Sequence, residues 1–222
     1  MKVYGDKIWQ KIFSTQQWGK YPPEHVVRWF FWAKRNLNAG PIRALDIGCG
    51  TGACSWFMSG EGAKVSAIDG SLSGLKKVNF LAKSFGVSNY IETIHGDITE
   101  PSTYLTDQYD LLLDNFALYS NNEDKFYSAL ENYRNLLCDN GFFLMACFGE
   151  GTSGYGTGRK LSENTYTDVD GVFKDRGVVT FFNRNRLNEI LVSLNYKIIY
   201  FEDLYEKRES FDKEMLITVI SK

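Results

Sequence analysis

The 222-residue sequence has no excess of charge of either sign: 25 lysines and arginines stand against 27 aspartates and glutamates, a formal net charge of −2. Without a basic footprint to grip a phosphate backbone, binding to DNA or bulk RNA is disfavoured. Only one modified base on a small RNA stays compatible with that balance. Long apolar runs are also missing. No stretch approaches the ~18 consecutive apolar residues of a membrane span. Met1–Ile12 carries scattered charges and lacks the apolar centre of a secretion signal. The expected location is therefore the cytoplasm, with no membrane partner. Histidine is scarce, with only His25 and His95, and the four cysteines (Cys49, Cys54, Cys138 and Cys147) form no C-x-x-C pair. That argues against a His/Cys metal site and for reduced thiols.

What is present fits a globular chain long enough to bury a core without staples, at 44% hydrophobic and 23% charged residues. Aromatics reach 15%, which suits core packing and is compatible with an aromatic-lined pocket. No internal repeat or long linker is visible. Residues 6–36 read as helix in two pieces, broken at Gly19 and Pro22-Pro23, with Val26, Trp29, Phe30 and Ala33 at helical spacing after the break. Strands are expected at Ile42–Ile47, Lys64–Asp69, Tyr90–Ile94, Tyr109–Asp114 and Phe142–Phe148. Helices are expected at Ala53–Ser59, Ser71–Ser84 (with Ser71 as N-cap) and Glu123–Cys138, the last followed by a turn at Asp139-Asn140-Gly141. Strand–helix alternation of this kind argues for a parallel sheet covered on both faces, doubly wound through right-handed crossovers. Gly149–Gly158 holds five glycines in ten positions and reads as irregular. Val178–Phe182 is apolar, Asn185–Leu194 reads as helix, and Lys197–Glu202 with Met215–Ile220 reads as an antiparallel pair finishing the sheet.

The chemistry centres on Ala44-Leu45-Asp46-Ile47-Gly48-Cys49-Gly50-Thr51-Gly52, an apolar strand running into a glycine turn that opens a helix. Such a turn lets backbone approach a ligand at the carboxyl end of the strand. A P-loop is excluded, since no G-K-[ST] follows. The dinucleotide pattern G-x-G-x-x-G meets Ala53 at its third position, a tolerated variant, so spacing alone does not separate a dinucleotide from other adenosyl ligands. Asp46 just ahead of the glycines would repel a pyrophosphate and suits a cationic ligand; otherwise it simply caps the turn.

The run Leu45–Gly52 resembles the first motif of the class I S-adenosylmethionine-dependent methyltransferases, and the likeness continues in order over residues 42–148. Val65–Asp69 ends the second strand in an acid, followed by Gly70 and Ser71 as in the family's D-x-S. Gly96-Asp97-Ile98 resembles its G-D motif, Tyr109–Asn115 its fourth strand, and Asn140–Leu144 its turn into the fifth. The resemblance implies a Rossmann-like, seven-stranded, mostly parallel sheet with one antiparallel C-terminal strand. It implies S-adenosylmethionine as cofactor and S-adenosylhomocysteine as product. By the same likeness Asp69 would accept from the ribose hydroxyls and Asp97 from the adenine amine, with Asp46, Gly48, Cys49, Gly50, Gly70, Ser71, Ile98 and Asp114 completing the cofactor site. Read as residues alone, the lesser alternatives are that Asp69 only caps a helix and Asp97 only makes a turn, while Cys49 most simply fills space beside the loop. Trp18 and Tyr21, in the string Trp18-Gly19-Lys20-Tyr21-Pro22-Pro23, either cover the sulfonium and methionine end or plug the core.

One methyltransferase domain is therefore expected over residues 1–222. It would comprise a helical lid (1–40), a cofactor-binding core (41–148), an acceptor-binding segment (149–182) and a C-terminal helix with strands (183–222). A hydroxyl acceptor needs a general base. Asp114, Tyr119, His95 and His25 are the candidates, and whether Asp114 or Asn115 faces the ligand depends on strand register. Tyr155, Arg159 and Lys160 are candidate contacts to an anionic or sugar-derived small-molecule acceptor, methylated on oxygen or nitrogen. No N-P-P-[YF] string follows the fourth strand. A nicotinamide-dependent oxidoreductase and a catalytically silent cofactor binder remain the alternatives, and the chain is expected to act as a monomer or homodimer.

Overall fold

In a computed structural model, residues 6–37 and 40–222 are described. Residues 1–5 and 38–39 of the expected lid lie outside the described residues. Side-chain alternation along the strands dictates a sheet buried on both faces. In β1 (Arg43–Ile47), Leu45 and Ile47 pack to one side and Ala44 to the other. In β4 (Tyr109–Asn115), Leu112 goes one way and Leu111 and Leu113 the other. In β5 (Leu137–Phe148), Phe143, Met145 and Cys147 oppose Leu144 and Ala146.

With β2 (Lys64–Asp69), β3 (Ile91–His95), β9 (Lys197–Lys207) and β10 (Asp212–Ser221), these strands form one seven-stranded sheet in the order β3-β2-β1-β4-β5-β10-β9. The strands β3-β2-β1-β4-β5 pair in parallel, and β10 runs antiparallel to both its neighbours. This is the fold the sequence implied. Strand order reverses direction between β1 and β4, the switch point at which open α/β sheets bind ligands.

Two sets of helices cover the sheet. Helix α5 (Glu123–Leu136) buries Phe126, Leu130 and Tyr133, and α6 (Arg184–Ser193) buries Leu187, Ile190 and Leu191, all in the cluster that holds Leu45 and Phe143. On the other face, α2 (Glu24–Asn36) contributes Val26, Trp29 and Phe30, α3 (Ala53–Gly60) contributes Cys54 and Met58, and α4 (Leu72–Ser84) contributes Leu75 and Val78. Each fully buried side chain of this size contributes about 1.5–3 kcal/mol. The caps follow the sequence. Ser71 Oγ accepts from the Gly74 amide (3.2 Å), Asn122 Oδ1 from the Lys125 amide (3.0 Å) and Asn183 Oδ1 from the Arg186 amide (2.9 Å).

Three local expectations are corrected. The helix expected to reach Cys138 stops at Leu136, because Leu137 already pairs with Tyr109 and the 139–141 turn becomes an irregularity inside β5. The strand expected at Tyr90–Ile94 starts one residue later, after a short 3-10 turn. Segment 149–182 contains a second sheet, β6 (Arg159–Lys160), β7 (Thr165–Thr167) and β8 (Val179–Thr180), paired antiparallel. Strands of two or three residues carry no readable period. Ahead of α2, helix α1 (Asp6–Thr15) lies against α4. Among the described residues, no helix is long and apolar enough to cross a membrane.

Candidate functional site

At the switch point the glycine turn is shaped by close approach. Gly48 sits at φ +63°, and a Cβ there would lie 2.3 Å from Ala117 Cβ just beyond β4, so only glycine fits. Gly50, at φ +54°, is roofed by the Phe13 ring, which a Cβ would approach to 3.2 Å. These glycines line a cavity of about 740 Å³ at the carboxyl ends of β1 to β4.

Asp46, Asp69 and Asp97 stand together on that cavity, with Gly48, Cys49, Gly50, Gly70, Ser71 and Ile98. Asp69 Oδ2 accepts from the Gly50 amide (2.8 Å) and Oδ1 from the Ser71 amide (2.7 Å). A carboxylate thus occupies the turn donor that a pyrophosphate would require, next to two further acids, a set suited to ribose hydroxyls and a cation. Asp97 Oδ1 accepts from the amide and hydroxyl of Thr99 (2.9 and 2.8 Å), and Tyr133 pins the adjacent Ile98 carbonyl at 2.8 Å. Burial pushes Asp46 up to about 7, against the pull of Ser55, whose hydroxyl donates to Oδ2 at 2.5 Å. Burial, with Asp69 and Asp46 nearby, also pushes the Cys49 thiol up, so it stays protonated and inert as a nucleophile.

Helix α1 closes one wall. Gln10 Oε1 accepts from Ser71 Oγ (3.1 Å) and the Ser73 amide (3.0 Å), and Gln10 Nε2 donates to Ser73 Oγ (2.6 Å). Trp9, Phe13 and Trp18 form a triangle with centroids 5.4–6.0 Å apart. Trp18 and Tyr21 both line the cavity, as do Asn115 at the end of β4 and Phe116 and Tyr119 beyond it.

Register settles the choice between neighbours at the end of β4. Asn115 lines the cavity and is joined to His25 Nε2 at 2.8 Å. Asp114 turns to the opposite face and is fully buried. Its Oδ1 accepts from the Ala117 and Leu118 amides (2.9 and 3.1 Å), its Oδ2 has no hydrogen-bond partner among the described residues, and burial pushes it up to about 7. Of the cofactor and base candidates, Asp114 is therefore not brought to the cavity. Neither is His95, which is exposed with Nε2 3.1 Å from the Gly70 carbonyl oxygen. His25 is buried behind Asn115, and that burial lowers its pKa.

The acceptor candidates also fall elsewhere. Tyr155 packs its ring on Tyr166 and Phe181 (5.7 and 5.4 Å). Arg159 and Lys160 are exposed on β6, with Arg159 3.8 Å from Asp168. From the same segment, Leu161, Thr167, Arg176 and Val178 reach the cavity instead. Arg176 lies over the Trp18 ring at 5.5 Å and beside the Tyr119 hydroxyl; burial pushes that phenol up to about 12 against the guanidinium's pull. Arg176 and Lys125, both charged and both on the cavity, belong to no motif of the sequence.

The family model described as "Methyltransferase domain" matches residues 40–175. The chain belongs to that family. Its class is the class I S-adenosylmethionine-dependent methyltransferases, with S-adenosylmethionine as cofactor. The ubiquinone biosynthesis O-methyltransferase of Burkholderia orbicola is 37% identical over 76 residues, which is 33% of this chain and 33% of that protein. The chain thus aligns with about a third of the length of the curated relatives it matches. The CcbJ methyltransferase from Streptomyces caelestis superposes with a TM-score of 0.68 at 16% identity, covering 99% of this chain and 98% of that one. A 1,6-didemethyltoxoflavin-N1-methyltransferase from Burkholderia thailandensis, solved with 1,6-didemethyltoxoflavin and S-adenosylhomocysteine, gives 0.64 at 17% identity over 90% and 78%. At such identities these structures attest the fold of the methyltransferase.

Proposed function

We propose that this methyltransferase acts on an oxygen or nitrogen atom of a small molecule bound in the same cavity as the cofactor. The supporting observation is that one cavity of about 740 Å³ joins the glycine turn and three acids to Tyr119, Asn121, Phe148 and Arg176, a volume within the range of small-molecule sites. The short stretch shared with a curated O-methyltransferase favours oxygen. S-adenosylmethionine, when bound, would supply a methyl already activated on a sulfonium: the acceptor's lone pair would form the new bond as the carbon–sulfur bond breaks, its electron pair staying on sulfur in S-adenosylhomocysteine and the proton of a hydroxyl or amine acceptor passing to water.

The chain's own work is then positioning and exclusion of water. Asp69 and Asp97 hold the adenosine, with Gly48, Gly50 and Ser71 shaping the cradle around it, and Trp18 and Tyr21 cover the methionine end. Tyr119, protonated near neutral pH, orients the acceptor by a hydrogen bond. Asp114 and His95, away from the cavity, act on neither proton nor substrate. Residues 161–178 supply the acceptor wall of a single catalytic unit.

Calorimetry with S-adenosylhomocysteine, and thermal shift against NAD, tests the reading. Binding and a raised melting temperature are expected with S-adenosylhomocysteine and not with NAD. The reverse order would make the protein an oxidoreductase, and binding without methyl release to any acceptor in a broad panel would make it a silent binder.

A further inference from the structure

The wall of the cavity beyond β4 and β5 is aromatic, with Lys213 Nζ over the Phe116 and Phe148 rings at 5.2 and 6.0 Å and Lys125 and Arg176 on the cavity itself. Phe116 and Phe148 lie with centroids 4.6 Å apart at 32°, and Tyr119 meets Phe148 edge-on at 4.8 Å. Phe116 is held at φ +59°, a backbone region that a bulky side chain adopts only under constraint. Its ring is braced by Phe148 and, edge-on at 6.1 Å, by His25. The chain accepts that strain at a residue facing the cavity. Arg176 completes the wall, half-buried, on the Trp18 face and beside the Tyr119 hydroxyl. Among the described residues its charge is matched by no carboxylate at ion-pair distance, whereas Arg159, Arg184 and Arg186 each have one. The acids of the cavity, Asp46, Asp69 and Asp97, stand at the ends of β1 to β3 instead.

A planar fork resting on a ring and lacking an acid partner suits a ligand that presents two oxygens. We infer that the methyl acceptor is a planar aromatic molecule bearing an anionic group, a carboxylate or a phosphate. Its ring lies against Phe116 and Phe148, and its anion is bound by Arg176. The inference rests on the cavity being the methyl-transfer site.

The experiment has two stages. First, S-adenosylhomocysteine is titrated into wild type, Arg176→Met and Arg176→Lys; all three are expected to bind it within about 3-fold of one another. Failure of wild type to bind sinks the methyl-transfer reading itself, before any acceptor is added. Loss confined to the variants places Arg176 on the cofactor and overturns the inference alone. Second, with S-adenosylhomocysteine saturating, 4-hydroxybenzoate, 4-hydroxyphenyl phosphate, neutral 4-hydroxybenzamide and saturated 4-hydroxycyclohexanecarboxylate are titrated. One of the two aromatic anions is expected to bind at least about 10-fold tighter than the amide and the saturated acid, the scale of one charged hydrogen-bonded contact. Whichever anion wins identifies the group. The preference over the amide should vanish in Arg176→Met and survive in part in Arg176→Lys, which keeps the charge without the fork. An amide or saturated acid that binds as well as the anions, no binding by either anion, or a preference that persists in Arg176→Met overturns it.

Discussion

The amide of Gly50 donates to Asp69 Oδ2 at 2.8 Å, so the turn after β1 is fastened to the end of β2 by a side chain. The other oxygen of that carboxylate holds the Ser71 amide at 2.7 Å, where α4 begins. Replacing Asp69 with alanine removes the proposed ribose acceptor and leaves two buried donors, the Gly50 and Ser71 amides, without that partner. A stability loss of about 1–3 kcal/mol is expected in denaturant titration. Calorimetry should show S-adenosylhomocysteine affinity falling by more than about 30-fold. Asp69→Asn keeps one acceptor oxygen and should lose less of both. Near-wild-type affinity in a folded Asp69→Ala protein would remove Asp69 from the cofactor site.

Gly48 offers a test of the cradle that involves no charge. Alanine there meets both the positive φ and the Ala117 Cβ at 2.3 Å, so either the turn or the loop after β4 must move. Gly48→Ala is expected to cost about 1–3 kcal/mol and to weaken S-adenosylhomocysteine binding by at least about 10-fold. Gly62 also has a positive φ, but a Cβ there has open space. The same substitution at Gly62 should reduce stability by strain alone and leave binding unchanged.

Asp69 and Gly48 show why the residues around the glycine turn could be placed from the sequence and those on the rest of the cavity could not. Gly48, Gly50, Asp69 and Asp97 sit at strand ends, where local spacing fixes their place relative to the sheet once the strand–helix alternation is read. Asp114 and Asn115 differ by one residue, and a one-residue difference along a strand selects the face. That choice was set by packing against α5 and the turn at Ala117–Leu118, which no local pattern records. Arg176 reaches the cavity through a loop positioned by β7, β8 and the Phe173–Phe181 contact at 5.3 Å. Arg159 and Tyr155 looked as suitable by residue type, but the small sheet turns Arg159 outward, and Tyr155 joins an aromatic cluster.

Gln10 tests whether α1 acts as the expected lid. Its amide is the main polar link from α1 to the start of α4, satisfying the Ser73 amide and both serine hydroxyls. Gln10→Ala should loosen α1 at a cost of about 1 kcal/mol. With Phe13 then less firmly seated over Gly50, S-adenosylhomocysteine affinity should fall about 3- to 10-fold, chiefly through faster dissociation in stopped-flow measurements. Hydrogen exchange should rise in residues 6–15 and not in α5. Unchanged exchange in α1 would mean that the Trp9–Phe13–Trp18 triangle alone holds it.

Asp114 should be visible in the pH dependence of stability. Burial raises its folded pKa to about 7 from an ordinary 3.8, and Asp46 is shifted in the same direction. Below about pH 3.8 both folded and unfolded chains hold the proton, and the contribution is fully present. Between that pH and about 7 the unfolded chain releases its proton while the folded one keeps it, so stability falls as pH rises, by at most about 1.4 kcal/mol per pH unit for one group. Asparagine mimics the neutral acid, keeping an oxygen for the Ala117 and Leu118 amides while carrying no charge to bury. Asp114→Asn should therefore flatten the decline in denaturation midpoint between pH 5 and 7.5. At pH 8 it should be more stable than wild type by about 1–3 kcal/mol. Because Asp114 lies off the cavity, its S-adenosylhomocysteine affinity should stay within about 3-fold of wild type. A pH profile parallel to that of wild type would mean the carboxyl is ionised in the folded protein throughout. A ten-fold loss of affinity would put Asp114 back into the site.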